Sequence, residues 1–462
     1  MEHQLEKNRF LGELGVARLM LKFSIPCVLA NLLSSIYNVV DQLFIGNSEL
    51  STLGNAATGV VFPLFIIAQA FAWCFGDGCA AHLNICQGRG NSQNAHKAIG
   101  TGVVMTLAVS ALILAVFYPF KRELLMLFGA SEQSIGMAIE YFDIVLAFFP
   151  VYMLYNMLNA VMRSDGSPGI AMLSVVVGAI VNIILDPVFI FGFHWGMAGA
   201  AWATAIGQVC SLLVTLYYYC IKGTRTFTLT RKSFVPDFKE FSHTLKPGMP
   251  SFLIQITIVI LSLTCNMMLA RYGAQSPYGA DIPVAIFGIE AKVYTIVTTL
   301  IVGVVIGCQP IVSYNIGAKK FHRVKQLYKL TLLYTLAVGV LATLVFQLFP
   351  HAVTALFGTP TNIPNPEHYW IFAEKTFRIF LSLVIFNCFQ KMTSIFLQFC
   401  GRPVHSIVSS TVRDIFCFVP LVIILPMFFG VEGILFAGPI ADLVAGILST
   451  AMTVSVLRSL QK

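Results

Sequence analysis

The sequence predicts an all-α membrane protein, with about twelve transmembrane helices in two repeated six-helix lobes. Three observations predict this class: the composition, the recurrence of apolar segments and an internal repeat. Of the 462 residues, 57% are hydrophobic and 11% are charged, whereas soluble domains carry about 25% charged residues. This composition excludes an ordinary soluble enzyme or binding domain.

Apolar segments recur along the whole chain, separated by short stretches rich in Gly, Asn, Lys and Arg. A membrane-spanning helix needs about 20 such residues. The charged, amphipathic start lacks a short apolar core with a small-residue cleavage site, so we expect no signal peptide. The twelve predicted spans lie near residues 22–45, 57–83, 97–119, 138–161, 168–192, 198–221, 248–271, 283–310, 327–349, 371–399, 404–428 and 433–456.

Basic residues predict the orientation of these spans. Most of the 29 Lys and Arg fall at the termini or in the even-numbered loops, whereas the odd-numbered loops hold Lys121, Arg122 and Arg271. Loops rich in Lys and Arg stay in the cytoplasm, so we expect both termini to be cytoplasmic. The net charge of +8 is thus explained by topology, and no nucleic-acid partner is expected.

The two halves of the chain repeat one another. "LKFSIPCVLA" at the first span matches "LKPGMPSFLI" at the seventh, which aligns Pro26 with Pro250. "DGSP" before the fifth span matches "CGRP" before the eleventh, which aligns Pro168 with Pro403. Transporters are often built from two such repeated bundles. The predicted parts are an N-terminal lobe, a basic cytoplasmic linker and a C-terminal lobe, at 1–222, 223–247 and 248–462.

Polar residues form one face of the first span and one face of the fifth. Each set recurs at spacings of three or four residues, which places its members on one side of a helix. In the second half of the repeat, Cys265 occupies the position of Asp41, and Leu421 occupies that of Asp186. Symmetric packing of the two halves therefore does not explain the two carboxylates. The two faces comprise Ser24, Cys27, Asn31, Ser34, Asn38 and Asp41, and Ser174, Gly178, Asn182 and Asp186.

The oxygen atoms of these two polar faces could bind a proton or a small cation. Pro187 has no N–H and frees the carbonyl of Ile183, which adds an acceptor beside Asp186. Together with Asp41 and Asn182, these groups could share a proton or coordinate a small hard cation such as Na⁺. The residue types do not separate the two ions, and no other cofactor is expected. The alternative is that Asn182 and Asp186 bond across helices for packing, although ionisable residues at mid-membrane usually mark function.

Six further polar residues are secondary candidates. Arg413 and Asp442 are expected to form an ion pair with a structural or gating role, because neutralised pairs tolerate burial better than lone charges. Glu290 is expected to pair with another helix, and Gln255 lies on a polar face of the seventh span. The complete secondary set is Asn38, Asp77, Gln255, Glu290, Arg413 and Asp442.

Three motifs resemble the multidrug and toxin extrusion (MATE) transporters, especially their bacterial multidrug branch: the first span with Asp41, the segment 165–208 and the segment 307–326. The resemblance implies a V-shaped pair of six-helix lobes, in a bacterial plasma (inner) membrane, that exports cationic or amphipathic drugs by antiport with H⁺ or Na⁺. We expect the protein to be a monomer. The family's N-lobe site maps onto Asp41, Asn182, Asp186 and Thr204. The seventh span here lacks the acid that another branch uses for Na⁺.

Three classes of function compete. A cation-coupled exporter explains the repeat and the first-half carboxylates that have no counterpart at the repeat positions of the second half. A lipid or glycan flippase of the same superfamily is the alternative, but its cavity should be cationic to receive anionic headgroups. A membrane enzyme would need a nucleophile with its base, or a metal cluster, and no such constellation appears in the sequence.

Overall fold

The computed structural model describes most of the chain and is built almost entirely of helices. About 90% of it is helical, and no strand occurs among the residues described. The chain separates into two compact units. The first unit comprises Met1–Gln255, Ile306–Val324 and Phe399–Gly401, and the second comprises Ile256–Val305, Lys325–Gln398 and Arg402–Lys462. The described residues are 6–46, 48, 51–90, 92–220, 231–235, 238–279, 281–356 and 366–459.

The first half of the chain begins with a short 3₁₀ helix, Glu6–Gly12, and continues in long apolar helices. The helices are α1 (Val16–Gly46), α2 (Ser51–Gly88), α3 (Ser92–Phe117), α4 (Lys121–Leu127), α5 (Ile135–Ala147), α6 (Phe149–Ser164), α7 (Pro168–Pro187), α8 (Gly196–Cys220) and α9 (Phe238–Gly273).

The second half follows the same plan, with more interruptions. Its helices are α10 (Asp281–Gly317), α11 (Phe321–Leu348), α12 (Pro350–Ala355), α13 (Pro366–Lys375), α14 (Val384–Phe399), α15 (Pro403–Thr411), α16 (Val419–Ile424), α17 (Pro426–Phe429) and α18 (Val431–Ser459).

The predicted number of spans is confirmed. Ten helical stretches in the described part of the chain are long and apolar enough to cross a membrane, and two bent pairs bring the number to twelve. The first pair is α5 with α6, bent by 52°, and the second is Pro366–Phe380 with α14, bent by 51°. Pro150 stands in the first turn of α6. Proline lacks the N–H needed inside a helix but is tolerated at its start, so a new helix begins there.

Three helical stretches widen into π turns, at Val188–Gly192, Thr376–Phe380 and Val412–Phe418. The first follows directly after Pro187, whose missing N–H was expected to leave the carbonyl of Ile183 without its helical partner. The third carries Arg413 and Asp414. Such π turns frequently occur at functional sites in helical proteins, and two of these three adjoin predicted site residues.

The predicted linker, 223–247, is helical over its last ten residues, because α9 begins at Phe238. Pro247 and Pro250 both lie inside α9, so this helix continues through both prolines. Within the predicted linker, residues 223–230 and 236–237 lie outside the described part of the chain. The division into lobes at 1–222 and 248–462 stays a prediction.

An aromatic core in the first unit supports the bend between α5 and α6. Phe142 and Phe149 lie on either side of the bend, are fully buried, and meet edge to face with their ring centroids 6.3 Å apart. Phe65 of α2 packs edge to face on Phe149 at 5.7 Å. Aromatic pairs of this geometry stabilise a fold beyond the area that they bury. This packing holds α5 beside α2 and α8, next to the predicted site.

Candidate functional site

The structure brings the four predicted ion-site residues together in the first unit. We name Asp41 of α1, Asn182 and Asp186 of α7, and Thr204 of α8 the acidic cluster. The carboxyl groups of Asp41 and Asp186 face one another at hydrogen-bonding distance. Nδ2 of Asn182 donates to Oδ1 of Asp186 and to Oγ1 of Thr204, each at 3.4 Å. Asp186 is fully buried and Asn182 is 3% exposed.

Three buried oxygens in the acidic cluster have no hydrogen-bond donor among the residues that the structure describes. They are Oδ1 of Asp41, Oδ1 of Asn182 and Oδ2 of Asp186. Buried polar atoms are nearly always satisfied in folded proteins, so each exception needs an explanation. Two facing carboxyls require a proton between them or a cation, because two bare carboxylates repel. The donor set is all oxygen, which also fits a hard cation.

Small residues let α7 and α8 approach closely enough to form the acidic cluster. A Cβ added to Gly178 would lie 1.9 Å from Oγ of Ser211, and one added to Gly207 would lie 2.8 Å from the carbonyl oxygen of Gly178. Such contacts between small residues are typical of helix pairs in membranes. They place Asn182 next to Thr204, one turn from Asp186, so the amide can bridge the two helices.

Tyr141 is a member of the site environment that sequence reasoning missed. It lies on α5, its side chain is hydrogen-bonded to Thr204, and it stands within electrostatic range of both Asp41 and Asp186. Tyrosine suits lipid faces, interfaces and polar sites alike, so its type alone carried no signal.

Asn38, Asp77 and Gln255 do not join the acidic cluster through any contact among the described residues. Asn38 is exposed, and its side-chain amide donates to the carbonyl oxygen of Ser34 at 2.7 Å. Asp77 is buried and accepts a hydrogen bond from Ser251 at 2.7 Å. Gln255 donates to Gln69 at 2.9 Å. These two buried residues connect α2 with α9.

The other secondary candidates lie in the second unit, where Arg413 forms the predicted ion pair. Its Nε and Nη2 donate to Oδ1 of Asp442 at 3.0 and 2.8 Å, and its Nη1 donates to Asp414 at 2.7 Å. Asn387 also donates to Oδ1 of Asp442, at 2.8 Å. Glu290 is 3% exposed, lies within electrostatic range of Arg413 and Asp442, and accepts no hydrogen bond from a described residue.

A protein-family comparison identifies the fold that presents this cluster. The family model described as MatE matches residues 26–188 and 250–444, which is most of the chain. The chain belongs to the MatE family. The two matched segments each begin at one of the repeated prolines, Pro26 and Pro250, so the same family model matches each half of the internal repeat.

Curated relatives of this MatE protein match along nearly its full length. The multidrug export protein MepA of Staphylococcus haemolyticus (strain JCSC1435) is 25% identical over 448 residues, covering 96% of this chain and 94% of its own. MepA of Staphylococcus aureus (strain MSSA476) is 25% identical over 437 residues, covering 95% of this chain and 93% of its own.

Solved structures share the fold of this MatE protein. A MOP superfamily transporter from Pyrococcus furiosus superposes with a TM-score of 0.89 at 22% identity, covering 99% of both chains. A mutant of the Vibrio cholerae MATE transporter VcmN superposes with a TM-score of 0.86 at 21% identity, covering 96% of this chain and 97% of that one. With its apolar helices, the fold makes this chain a multi-pass membrane protein.

Proposed function

We propose that this MatE protein is a multidrug efflux transporter that exports organic cations by antiport with H⁺ or Na⁺. The observation that supports this most is the acidic cluster, with two facing carboxyls and three oxygens that lack donors. The curated MepA relatives are named multidrug export proteins, which supports the drug-export part. An intramembrane carboxyl pair is costly unless it binds something.

In the proposed cycle, the acidic cluster holds the coupling ion in one access state and releases it in the other. Asn182, which also donates to Thr204, holds the Asp186 carboxyl in place, while Asp41 lies on a different helix and can separate from it when α1 moves. Binding of the drug weakens binding of the ion, either through charge repulsion or through the position of α1. Such coupling is reciprocal, so binding of the ion weakens binding of the drug equally. A tenfold proton gradient supplies about 1.4 kcal/mol per proton, enough for modest accumulation.

The proposal includes the location and state of the protein. The transporter works in a bacterial inner membrane with both termini in the cytoplasm, as the distribution of Lys and Arg predicts. It works as a monomer of two six-helix lobes. A lipid or glycan flippase is less consistent with this chain, because an acidic cluster repels anionic headgroups.

Ethidium transport by reconstituted protein tests the proposal. Wild type and Asp41→Asn are compared in vesicles under an imposed proton gradient, and then under an imposed Na⁺ gradient. We expect wild type to accumulate ethidium with one of the two gradients, which identifies the ion. Asp41→Asn should lose this response, because the remaining Asp186 no longer has a second carboxyl with which to hold the ion.

Asp143→Asn is the matched control, since Asp143 lies in the same unit but pairs with Lys121 at 2.6 Å outside the acidic cluster. It should keep gradient-driven transport. Unchanged transport by Asp41→Asn would refute the coupling role of the cluster. Absence of ethidium transport by wild type, together with transport of a labelled lipid, would favour the flippase.

A further inference from the structure

Inside the first unit, the last turns of α10 lie against α1 and α2 with their backbones in contact. Although α10 comes from the second half of the chain, residues Ile306–Val324 belong to the first unit. A Cβ added to Gly307 would lie 2.6 Å from Cα of Ser24, and one added to Gly317 would lie 2.3 Å from the carbonyl oxygen of Ile85. We name these contacts the glycine seam. They join the two halves of the repeat beside loops that are rich in Lys and Arg and are therefore predicted to be cytoplasmic.

The beginning of the chain is fastened to the same end of α1 and α2. We name residues 6–14, which include the short 3₁₀ helix, the N-terminal strap. Nδ2 of Asn8 donates to Oε1 of Gln87 of α2 at 3.0 Å, and the ring of Phe10 stacks on that of Phe23 of α1 with the centroids 6.3 Å apart. The strap is thus anchored on the first-half side of the glycine seam.

On its other side, the N-terminal strap binds the second-half residues that follow the glycine seam. Three side chains donate to carbonyl oxygens at the end of its 3₁₀ helix. The bonds are from Nδ2 of Asn315 to Leu11 at 3.0 Å, from Nζ of Lys320 to Gly12 at 2.9 Å and from Nη2 of Arg323 to Leu11 at 3.3 Å. The last carbonyls of a helix lack intrahelical partners and carry partial negative charge, so two cationic donors and an amide stabilise them.

The turn after α10 is shaped to present these donors. Lys319 has φ of 57°, a left-handed conformation that is uncommon for a residue other than glycine, and the backbone N–H of Lys320 donates to the carbonyl oxygen of Asn315 at 2.8 Å. This closes α10 with a hydrogen-bonding pattern typical of helix C-termini. It turns the chain so that Lys320 and Arg323, on either side of the start of α11, both reach the strap.

We propose that the N-terminal strap is a latch that holds the glycine seam closed and releases it when the transporter opens to the cytoplasm. The inference rests on the proposed transport function. Alternating access moves one repeat against the other, and the seam joins the two repeats, so opening at this end has to separate it. The strap bridges both sides of the seam. Its bonds to Asn315, Lys320 and Arg323 therefore have to break in the same step.

A native cysteine reports the opening of the glycine seam. Cys308 is fully buried, and its Sγ lies 3.9 Å from Oγ of Ser24 across the seam. The rate at which a water-soluble maleimide modifies Cys308 is measured by mass spectrometry on the purified full chain, without substrate or gradient. Arg323→Met removes the donors but keeps an unbranched side chain. It should raise this rate about fivefold, as expected for the net loss of a hydrogen bond to a charged group.

Two controls separate release of the latch from other causes. Cys388 is equally buried but lies in the second unit, so its rate of modification should not change in Arg323→Met. Lys329→Met removes the same charge from the same helix, at an exposed side chain that bonds to no described residue, and should leave Cys308 as slow as in wild type. An equal rise at Cys308 in Lys329→Met and Arg323→Met would refute the latch, because charge alone would then explain it.

A cross-link tests the latch without removing any stability from the fold. Nη2 of Arg323 also donates to the carbonyl oxygen of Leu14, so a cleavable bismaleimide about as long as an arginine side chain can join Leu14→Cys to Arg323→Cys in the double variant. The linked protein should bind ethidium but not transport it, and cleavage of the linker should restore transport. The two single variants, treated in the same way, should transport before and after cleavage.

These outcomes separate the latch from the proposed function. Transport by the linked protein at the rate of the cleaved protein, or an unchanged rate at Cys308 in Arg323→Met, would overturn the latch and leave drug export standing. Failure of wild type to transport ethidium under either gradient would refute the proposed function instead. The maleimide assay needs neither substrate nor gradient, so its result for Cys308 would still decide whether the strap holds the glycine seam.

Discussion

Among single side chains, Thr204 is the one whose hydroxyl connects the acidic cluster to its surroundings. It accepts from Asn182 at 3.4 Å and is hydrogen-bonded to Tyr141. Neither bond involves a charged group, so Thr204 can be altered without changing the charge of the cluster. Asn182 would then have Asp186 as its remaining partner in the cluster, and its orientation would be less restricted.

Thr204→Val is therefore expected to impair coupling without abolishing it. Valine has the shape of threonine but no hydroxyl, and losing a hydrogen bond of this kind costs about 1 kcal/mol, roughly fivefold in an equilibrium constant. The gradient needed for half-maximal ethidium transport should rise accordingly. Thr204→Ser keeps the hydroxyl and should behave like wild type. Equal loss in both variants would mean that the methyl group, rather than the hydroxyl, matters.

The residues of the acidic cluster were predictable to different degrees. Asp41, Asn182 and Asp186 could be found from the sequence, because they recur at helical spacing on polar faces. A carboxylate in an apolar span is also costly and therefore conspicuous. Thr204 came from the family resemblance, since threonine in a membrane helix commonly bonds its own backbone. Tyr141 was missed, because its bond to Thr204 is a tertiary contact between α5 and α8, which helical spacing within one span does not reveal.

For whole helices, apolar length predicted the spans well, whereas local geometry did not follow from sequence. The fifth span was predicted at 168–192, and the structure has the same stretch, Pro168–Gly192. The π turn at Val412–Phe418 was not predictable, because its sequence is compatible with an ordinary helix. This turn brings Arg413 and Asp414, which are neighbours in sequence, into direct contact at 2.7 Å.

Backbone atoms of α2 and α9 approach one another closely, in addition to the side-chain hydrogen bonds that join the two helices. A Cβ added to Gly78 would lie 2.1 Å from the carbonyl oxygen of Thr244, and one added to Gly248 would lie 1.9 Å from that of Cys74. Nearby, Ser251 and Asp77 join the same two helices through their hydrogen bond. The two helices therefore cannot approach in this way if either glycine is replaced.

Gly248→Ala is expected to destabilise the protein by about 1–3 kcal/mol, because the new methyl group meets a backbone atom that cannot turn aside. Thermal unfolding of the purified protein measures the effect. Gly59→Ala in α2 is the matched control, since nothing lies within 4 Å of its added Cβ, and alanine favours a helix. Equal stability of the two variants would show that α2 and α9 are not in backbone contact.

Across the whole molecule, the two units hold buried carboxylates in opposite ways. In the acidic cluster of the first unit, Asp41 and Asp186 retain oxygens without donors. In the second unit, one oxygen of Asp442 accepts three hydrogen bonds, two from Arg413 and one from Asn387. A cation would have to displace this arginine to bind there. One unit thus contains a carboxyl pair with oxygens that lack donors among the described residues, and the other contains a carboxylate neutralised by arginine.

Asp442→Asn is consequently expected to reduce stability without changing the coupling ion. It removes the main counter-charge of a buried arginine, a change that costs about 3 kcal/mol or more when one partner of a buried pair is lost. Thermal unfolding measures the cost, and ethidium transport by the remaining folded protein should respond to the same ion gradient as wild type.

Glu374→Gln is the control, because its pair with Arg378 in the second unit is half exposed and should contribute less than about 1 kcal/mol. If Asp442→Asn were as stable as wild type yet lost its response to the gradient, the second unit would hold the coupling site.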